Sequence, residues 1–342
     1  RYNFAPVNYL LQPIQRFNVY GQASLRLTDN INANAMATYV ARNSNQQLAE
    51  VPVTMDIRGL NGPQWAFAPT AGNYFNPFGQ NLRGANFRMA AVGPRKNYYN
   101  NDNTAVTLWL DGQFTLGSRD MYWDAGYSYL DARFNQRGQN YINLFNLQRA
   151  LGNSRRNPTT NALECLDSAG AVIRGCVPFN IFGGPDLGLA AGRISRAEYD
   201  AMIDYVSYTL NTSQQLTTKD YFANLSGSIV DLPGGPLGFA VGVETRRTSF
   251  VDSPDSLVAG GGSSNNFQLP TSGQQTSKEI YAELNIPILA DIPGFKLLEL
   301  NLAARDSSYD TNGIFNGNAI SPDLGGDTSK KVGLKWQIFD DL

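Results

Sequence analysis

The chain of 342 residues contains no histidine and only 2 cysteines. Without histidine, Ser-His-Asp and Cys-His catalysis, imidazole metal sites and histidine haem ligation are excluded. Two thiols without an imidazole make a poor zinc site, so neither a metal nor a cofactor is expected. Charge is also scarce, at 16% of residues, and Lys+Arg 27 nearly balance Asp+Glu 29. No basic stripe is present for nucleic acid. No apolar run reaches the length of a transmembrane helix, and the mean hydropathy is −0.30. Neither a Walker A sequence nor a dinucleotide fingerprint occurs. No nucleophile–base set can be assembled, so an enzyme is not expected.

What the chain does have is two-residue alternation, broken by very short turns. Val106, Leu108, Leu110, Gly112, Phe114 and Leu116 alternate with Thr107, Trp109, Asp111, Gln113 and Thr115. After Gly117-Ser118-Arg119-Asp120, Met121, Trp123, Ala125, Tyr127 and Tyr129 alternate with Tyr122, Asp124, Gly126 and Ser128. Strand side chains point to opposite faces in turn, so each segment has one apolar and one polar face. Nine such strands are predicted, at about 16–28, 31–43, 104–117, 120–135, 217–230, 237–250, 277–289, 296–306 and 328–338. The connections after the first, third, fifth and seventh are a few residues long. Those after the second, fourth, sixth and eighth span about 44–103, 136–216, 251–276 and 307–327. All long loops therefore fall at one end. Soluble sandwiches also alternate, but their strands are nearer 5–6 residues. Long strands with polarised loops predict an all-β antiparallel transmembrane β-barrel with a wet interior.

Parity along these strands points Glu244, Arg246, Glu279, Glu283, Glu299 and Arg305 inward, as a charged wall of compensating sign. Glu279 and Glu283 could in principle form a catalytic carboxylate pair, but a wall charge is the better reading. In the long loops, Trp65, Phe67, Tyr74, Phe75, Tyr98, Tyr99, Tyr141 and Phe145 are candidates for stacking on a ligand. The competing reading is that they pack the loops together or form an interfacial aromatic belt. Cys165 and Cys176 are expected to close a small loop as a disulfide in an oxidising compartment, the alternative being two free thiols. Ser195-Arg196-Ala197-Glu198 reads as a capping box opening a short helix to about Tyr205. The Gly- and Ser-rich stretch 259–266 reads as a mobile loop tip.

Longer motifs carry a resemblance. Ile280-Tyr281-Ala282-Glu283-Leu284-Asn285-Ile286-Pro287-Ile288 is followed by Ile292-Pro293-Gly294 and by Leu298-Glu299-Leu300-Asn301-Leu302-Ala303-Ala304-Arg305. Lys331-Val332-Gly333-Leu334-Lys335-Trp336 comes next. In this order the segments resemble the barrel of TonB-dependent outer-membrane receptors. Cys176-Val177-Pro178-Phe179-Asn180-Ile181-Phe182-Gly183 resembles a loop signature of their long-loop members. The resemblance spans most of residues 1–342 and implies a 22-strand barrel with an N-terminal plug and a TonB box. Neither plug nor TonB box is assigned to residues here, about nine strands are read, and Leu342 lacks a terminal aromatic strand signal. The chain also opens at Arg1 without Met or signal peptide. Residues 1–342 are thus expected to be the middle of such a barrel, from a processed or larger protein.

The function this implies is a receptor and transporter of the bacterial outer membrane. It would capture a scarce, bulky nutrient at extracellular loops and import it with energy supplied through TonB. Implied partners are membrane lipid, TonB, a small-molecule, oligosaccharide or siderophore ligand, and a surface lipoprotein or other subunit. The aromatic, Asn-rich loops favour oligosaccharide over ferric siderophore. The alternatives are a passive porin-like channel and a barrel serving as a docking or structural surface.

Overall fold

The computed structural model describes residues 3–54, 56–58, 64–66, 68–82 and 86–339. The chain is all-β, built on one antiparallel meander. Its strands are β1 Ile14–Thr28, β2 Ile31–Leu48, β3 Arg95–Leu116, β4 Arg119–Ile142, β5 Ser207–Leu232, β6 Gly235–Ser253, β7 Thr271–Ile292, β8 Phe295–Phe315 and β9 Gly326–Gln337. A short arm, Asn318–Ile320, also pairs with β8, making a 10-stranded sheet. Each long strand pairs with its chain neighbours. The hairpin turns are tight; Gly294, at φ 79, supplies the left-handed residue between β7 and β8. Among the described residues β1 and β9 leave two long free edges. Such edges are consistent with a segment of a barrel, where closure removes them.

Register gives the sheet two faces of opposite chemistry. Leu110, Ala125, Ala223, Val243 and Ile280 stand directly opposite one another across β3 to β7. One residue along, Asp111, Asp124, Asn224, Gly242, Tyr281 and Arg305 do the same on the other face. The apolar face is the more exposed of the two. On β7, Ile280, Ala282 and Leu284 are exposed, whereas Glu279, Tyr281 and Glu283 are half-buried. A water-solvated sheet with one packed face shows the reverse.

The strands run further toward the long loops than alternation predicts. β3 starts at Arg95 rather than about 104, β4 ends at Ile142 rather than about 135, and β5 starts at Ser207 rather than about 217. The added residues are rich in Asn, Gln, Ser and Thr on both faces. They keep the backbone ladder but carry no apolar face for a period-two pattern to detect.

Buried apolar side chains gather outside the sheet. The connections 49–94 and 143–206 share one core that includes Val53, Met89, Leu147, Phe179, Met202 and Val206. We call this unit the cap. Its helices are α1 Leu144–Ala150 and α2 Arg196–Val206. The capping box is formed as expected, with Glu198 N donating to Ser195 Oγ at 3.2 Å and Ser195 N to Glu198 Oε2 at 2.7 Å.

The stretch 259–266 is no free loop tip. Helix α3 Ser256–Ala259 leads into it, and Gly261, Gly262 and Ser263 are buried against the cap. Leu144 N donates to Gly262 O at 2.7 Å, and Ser264 N to Ile142 O at 3.0 Å. A Cβ at Gly262 would lie 2.1 Å from the Phe145 ring. The absent side chain here permits close approach, which composition alone reads as looseness.

Candidate functional site

Two surfaces carry polar chemistry: the cap at the long-loop end, and the polar face of the sheet. In the cap, Ser154–Arg156 pairs with Leu163–Cys165 as a small hairpin. The Cys165–Cys176 disulfide, with Cα atoms 5.7 Å apart, ties that hairpin to the segment leading to Phe179. Glu164 accepts from Asn157 Nδ2 and Arg155 Nε, both at 2.8 Å. These bonds, that from Asn157 foremost, hold its carboxyl below the usual carboxylate range.

Arg156 joins the two large connections. Its Nη1 donates to Glu198 Oε1 at 2.8 Å and its Nε to Tyr74 Oη at 3.3 Å. Glu198 therefore caps α2 and holds the hairpin at once. Burial pushes its carboxyl up, but the bonds from Ser195 and Arg156 prevail and hold it below the usual range. Asp186 is likewise held low, by the backbone N–H groups of Ala190 and Gly188. Beside this frame lies a hollow of about 530 Å³ lined by Val53, Phe87, Arg88, Met89, Phe179 and Leu187. Its size suits a small organic group, and its lining is mostly apolar. Phe179 lies in the quoted Cys176–Gly183 motif. Phe87 and Arg88 carried no sequence signal, because only folding of connection 49–94 brings them there.

The aromatic candidates among the described residues fall in different places. Tyr74 and Phe75 are in the cap, their rings edge to face at 5.0 Å. Tyr74 is exposed and Phe75 packs on the cap core. Tyr98, Tyr99 and Tyr141, expected in loops, lie on β3 and β4 because those strands are longer than predicted. Tyr99 stacks on Phe134 at 5.8 Å and donates to Gln46 Oε1 at 3.0 Å. Tyr141 is 4% exposed, and its hydroxyl donates to Asn97 Oδ1 at 3.0 Å. Phe145 sits on α1 against Gly262. Trp65 belongs to a short strand, Gln64–Ala66, and Phe67 lies outside the described residues. Phe78, which carried no sequence signal, meets Phe182 of the Cys176–Gly183 motif edge to face at 5.9 Å and so bridges the two connections.

On the polar face, parity brings together four of the six charges read from sequence. Arg305 bonds Glu279 and lies 3.5 Å from Glu244. Arg246 bonds Glu244 and lies 3.7 Å from Asp220, which was not singled out although it has the same parity. Glu283 stands apart from these four and accepts from Asn301 Nδ2 at 2.6 Å. Next to the network, Tyr281 Oη donates to Asn224 Oδ1 and Asn224 Nδ2 to Asp124 Oδ2, both at 2.8 Å. Nearer the short turns, Asp120, Glu283, Asn285, Glu299 and Asn301 line an open hollow of about 860 Å³. Half-exposed ion pairs contribute little to stability. What they do supply is a wettable wall in which acids outnumber bases.

No protein-family model and no curated protein matches this chain.

Proposed function

We propose that the protein is an outer-membrane β-barrel receptor that captures a bulky solute at its cap and passes it inward along the polar face. The observation that carries this reading is the exposure of the apolar face together with a folded cap at one end only. On β7 the apolar positions run from Ile280 to Ile288, which matches the ~9–11 residues a tilted membrane strand needs. Aromatic pairs bracket that band. Tyr127 and Tyr221 meet at 4.8 Å toward the cap, and Phe295 and Trp336 stack at 5.5 Å by the short turns. Aromatic girdles of this kind mark the two interfaces of outer-membrane barrels.

The cap supplies affinity. It has its own core and a disulfide, so it can hold a binding surface without paying to order loops at each encounter. The solute class this surface favours is an oligosaccharide, with exposed Tyr74 and Phe78 offering ring faces. Import coupled to TonB rests on the resemblance of residues 280–305 and 331–336 to that receptor family. The passive-channel reading draws on the same polar wall.

The discriminating experiment uses the full-length protein in whole cells and in planar bilayers. Uptake of a fluorescent maltodextrin series, measured with and without a protonophore, is expected to collapse when the proton-motive force is removed. Purified protein in a bilayer is expected to stay electrically silent. Open-channel conductance with protonophore-insensitive uptake would replace the receptor by a porin. Recovery of the protein in the aqueous fraction would overturn both readings.

A further inference from the structure

The apolar face carries three cations close together, with acids of the same face, Asp131, Asp306 and Asp310, only on the diagonals around them. Lys219 on β5 stands directly opposite Arg247 on β6. Lys278 on β7 stands opposite Thr245, two residues along β6 from Arg247 and on the same face. All three residues are exposed. Among the described residues the Lys219 and Lys278 ammonium groups have no hydrogen-bond or ion-pair partner, and Arg247 bonds only the neutral Gln274. Like charges directly opposite on neighbouring strands destabilise a sheet, so a cross-strand Lys–Arg pair calls for an anion from outside it.

The surroundings say what kind of anion. Lys219 pairs with Tyr129 on its other side, and Tyr221, opposite Thr245, packs on Tyr127. The cations therefore sit at the cap-side aromatic rim of the apolar face. Directly below, the small side chains of Ala223, Ala282 and Ala304 leave a hollow of about 520 Å³ walled by Leu225, Val243 and Ile280. Ala223 and Ile280 are each two residues along the strand from Tyr221 and Lys278, a step of ~7 Å. Of the acids on this face, Asp131 is held by Arg133 at 2.8 Å, while Asp306, which accepts from Thr328 Oγ1 at 2.6 Å, and Asp310 flank Lys278 without an ion pair to it, so the Lys219–Arg247 pair is the anion-seeking part of the rim. A cationic rim above an apolar trough matches an amphiphile with a phosphate head and acyl chains.

We propose that Lys219, Arg247 and Lys278 bind the phosphate of a membrane lipid whose acyl chain lies in the Ala223–Ala282–Ala304 trough. The site rests on the membrane reading above and adds a specific lipid to it. The test titrates full-length protein in neutral detergent with phosphatidic acid or phosphatidylcholine of matched chains, followed by native mass spectrometry. The wild type is expected to prefer phosphatidic acid by on the order of tenfold or more, because each basic residue near an anionic headgroup adds favourable energy. Combined Lys219→Gln, Arg247→Gln and Lys278→Gln should remove the preference while leaving phosphatidylcholine binding in place. Ala282→Phe, which fills the trough, should weaken both lipids. Millimolar inorganic phosphate should not displace the lipid. A preference that survives the triple substitution, or full displacement by inorganic phosphate, overturns the proposal. Insertion into phosphatidylcholine vesicles is measured in parallel. A protein that inserts but shows no preference loses only this site, whereas one that does not insert loses the membrane reading as well.

Discussion

Replacing Arg156 by Met should loosen the cap at the point where its two connections meet. Arg156 Nη1 donates to Glu198 Oε1 and to the Asn161 carbonyl, both at 2.8 Å, and its Nε reaches Tyr74 Oη at 3.3 Å. The Arg156 and Glu198 side chains are only 21% and 24% exposed, so solvent screens the pair weakly. A hydrogen bond to a charged group contributes about 1.5–3 kcal/mol, and an exposed ion pair under ~1. The partly shielded pair falls between, near ~2 kcal/mol, or on the order of 30-fold in the local opening equilibrium. The assay is hydrogen exchange on peptides covering 196–206. The sign with pH follows from Glu198, whose carboxyl the fold holds low. Its contribution is complete above the unfolded carboxylate value, ~4.3, and is lost as pH falls through the lower folded value. Wild type and Arg156→Met should therefore differ strongly at pH 7 and less under strong acid, where only the bonds to Asn161 and Tyr74 remain. Glu198→Gln should show an intermediate loss, because glutamine still closes the capping box. A change below twofold at pH 7, or an equal difference in acid, would refute the reasoning.

Other consequences follow from particular residues. Gly262→Val should detach the 259–266 segment, since a Cβ there meets the Phe145 ring at 2.1 Å; faster exchange at Ile142 and Leu144, with the sheet unchanged, is the expected readout. Reduction of Cys165–Cys176, which closes a loop with sequence separation 11, should cost about 3 kcal/mol by loop entropy, seen as faster proteolysis of the cap. Leu284→Lys on the apolar face should cost about 2–4 kcal/mol of folding stability in vesicles. Asn285→Lys, on the polar face one residue along, should cost far less, and urea titration of the two variants would separate the faces.

The amino-acid sequence by itself determined the strands, their order and their faces. Alternation such as Ile280-Tyr281-Ala282-Glu283-Leu284 has a period of two, and that period is a local property of the backbone. The same parity sorted Glu244, Arg246, Glu279 and Arg305 onto one face before any pairing was known. The Ser195–Glu198 capping box was legible because its bonds span three residues. The tertiary structure decided what depends on distant segments meeting. The cap-side ends of β3, β4 and β5 were invisible because a strand that is polar on both faces leaves no pattern, although its ladder is intact. Burial of Tyr141 required the β4–β5 register, and the Arg156–Tyr74 contact crosses two connections. Docking of Gly261–Ser263 ran against composition, since glycine serves close packing as readily as freedom. Only register across β5, β6 and β7 placed Lys219, Arg247 and Lys278 together, because neighbours in a sheet are set by pairing, which the order of residues does not state.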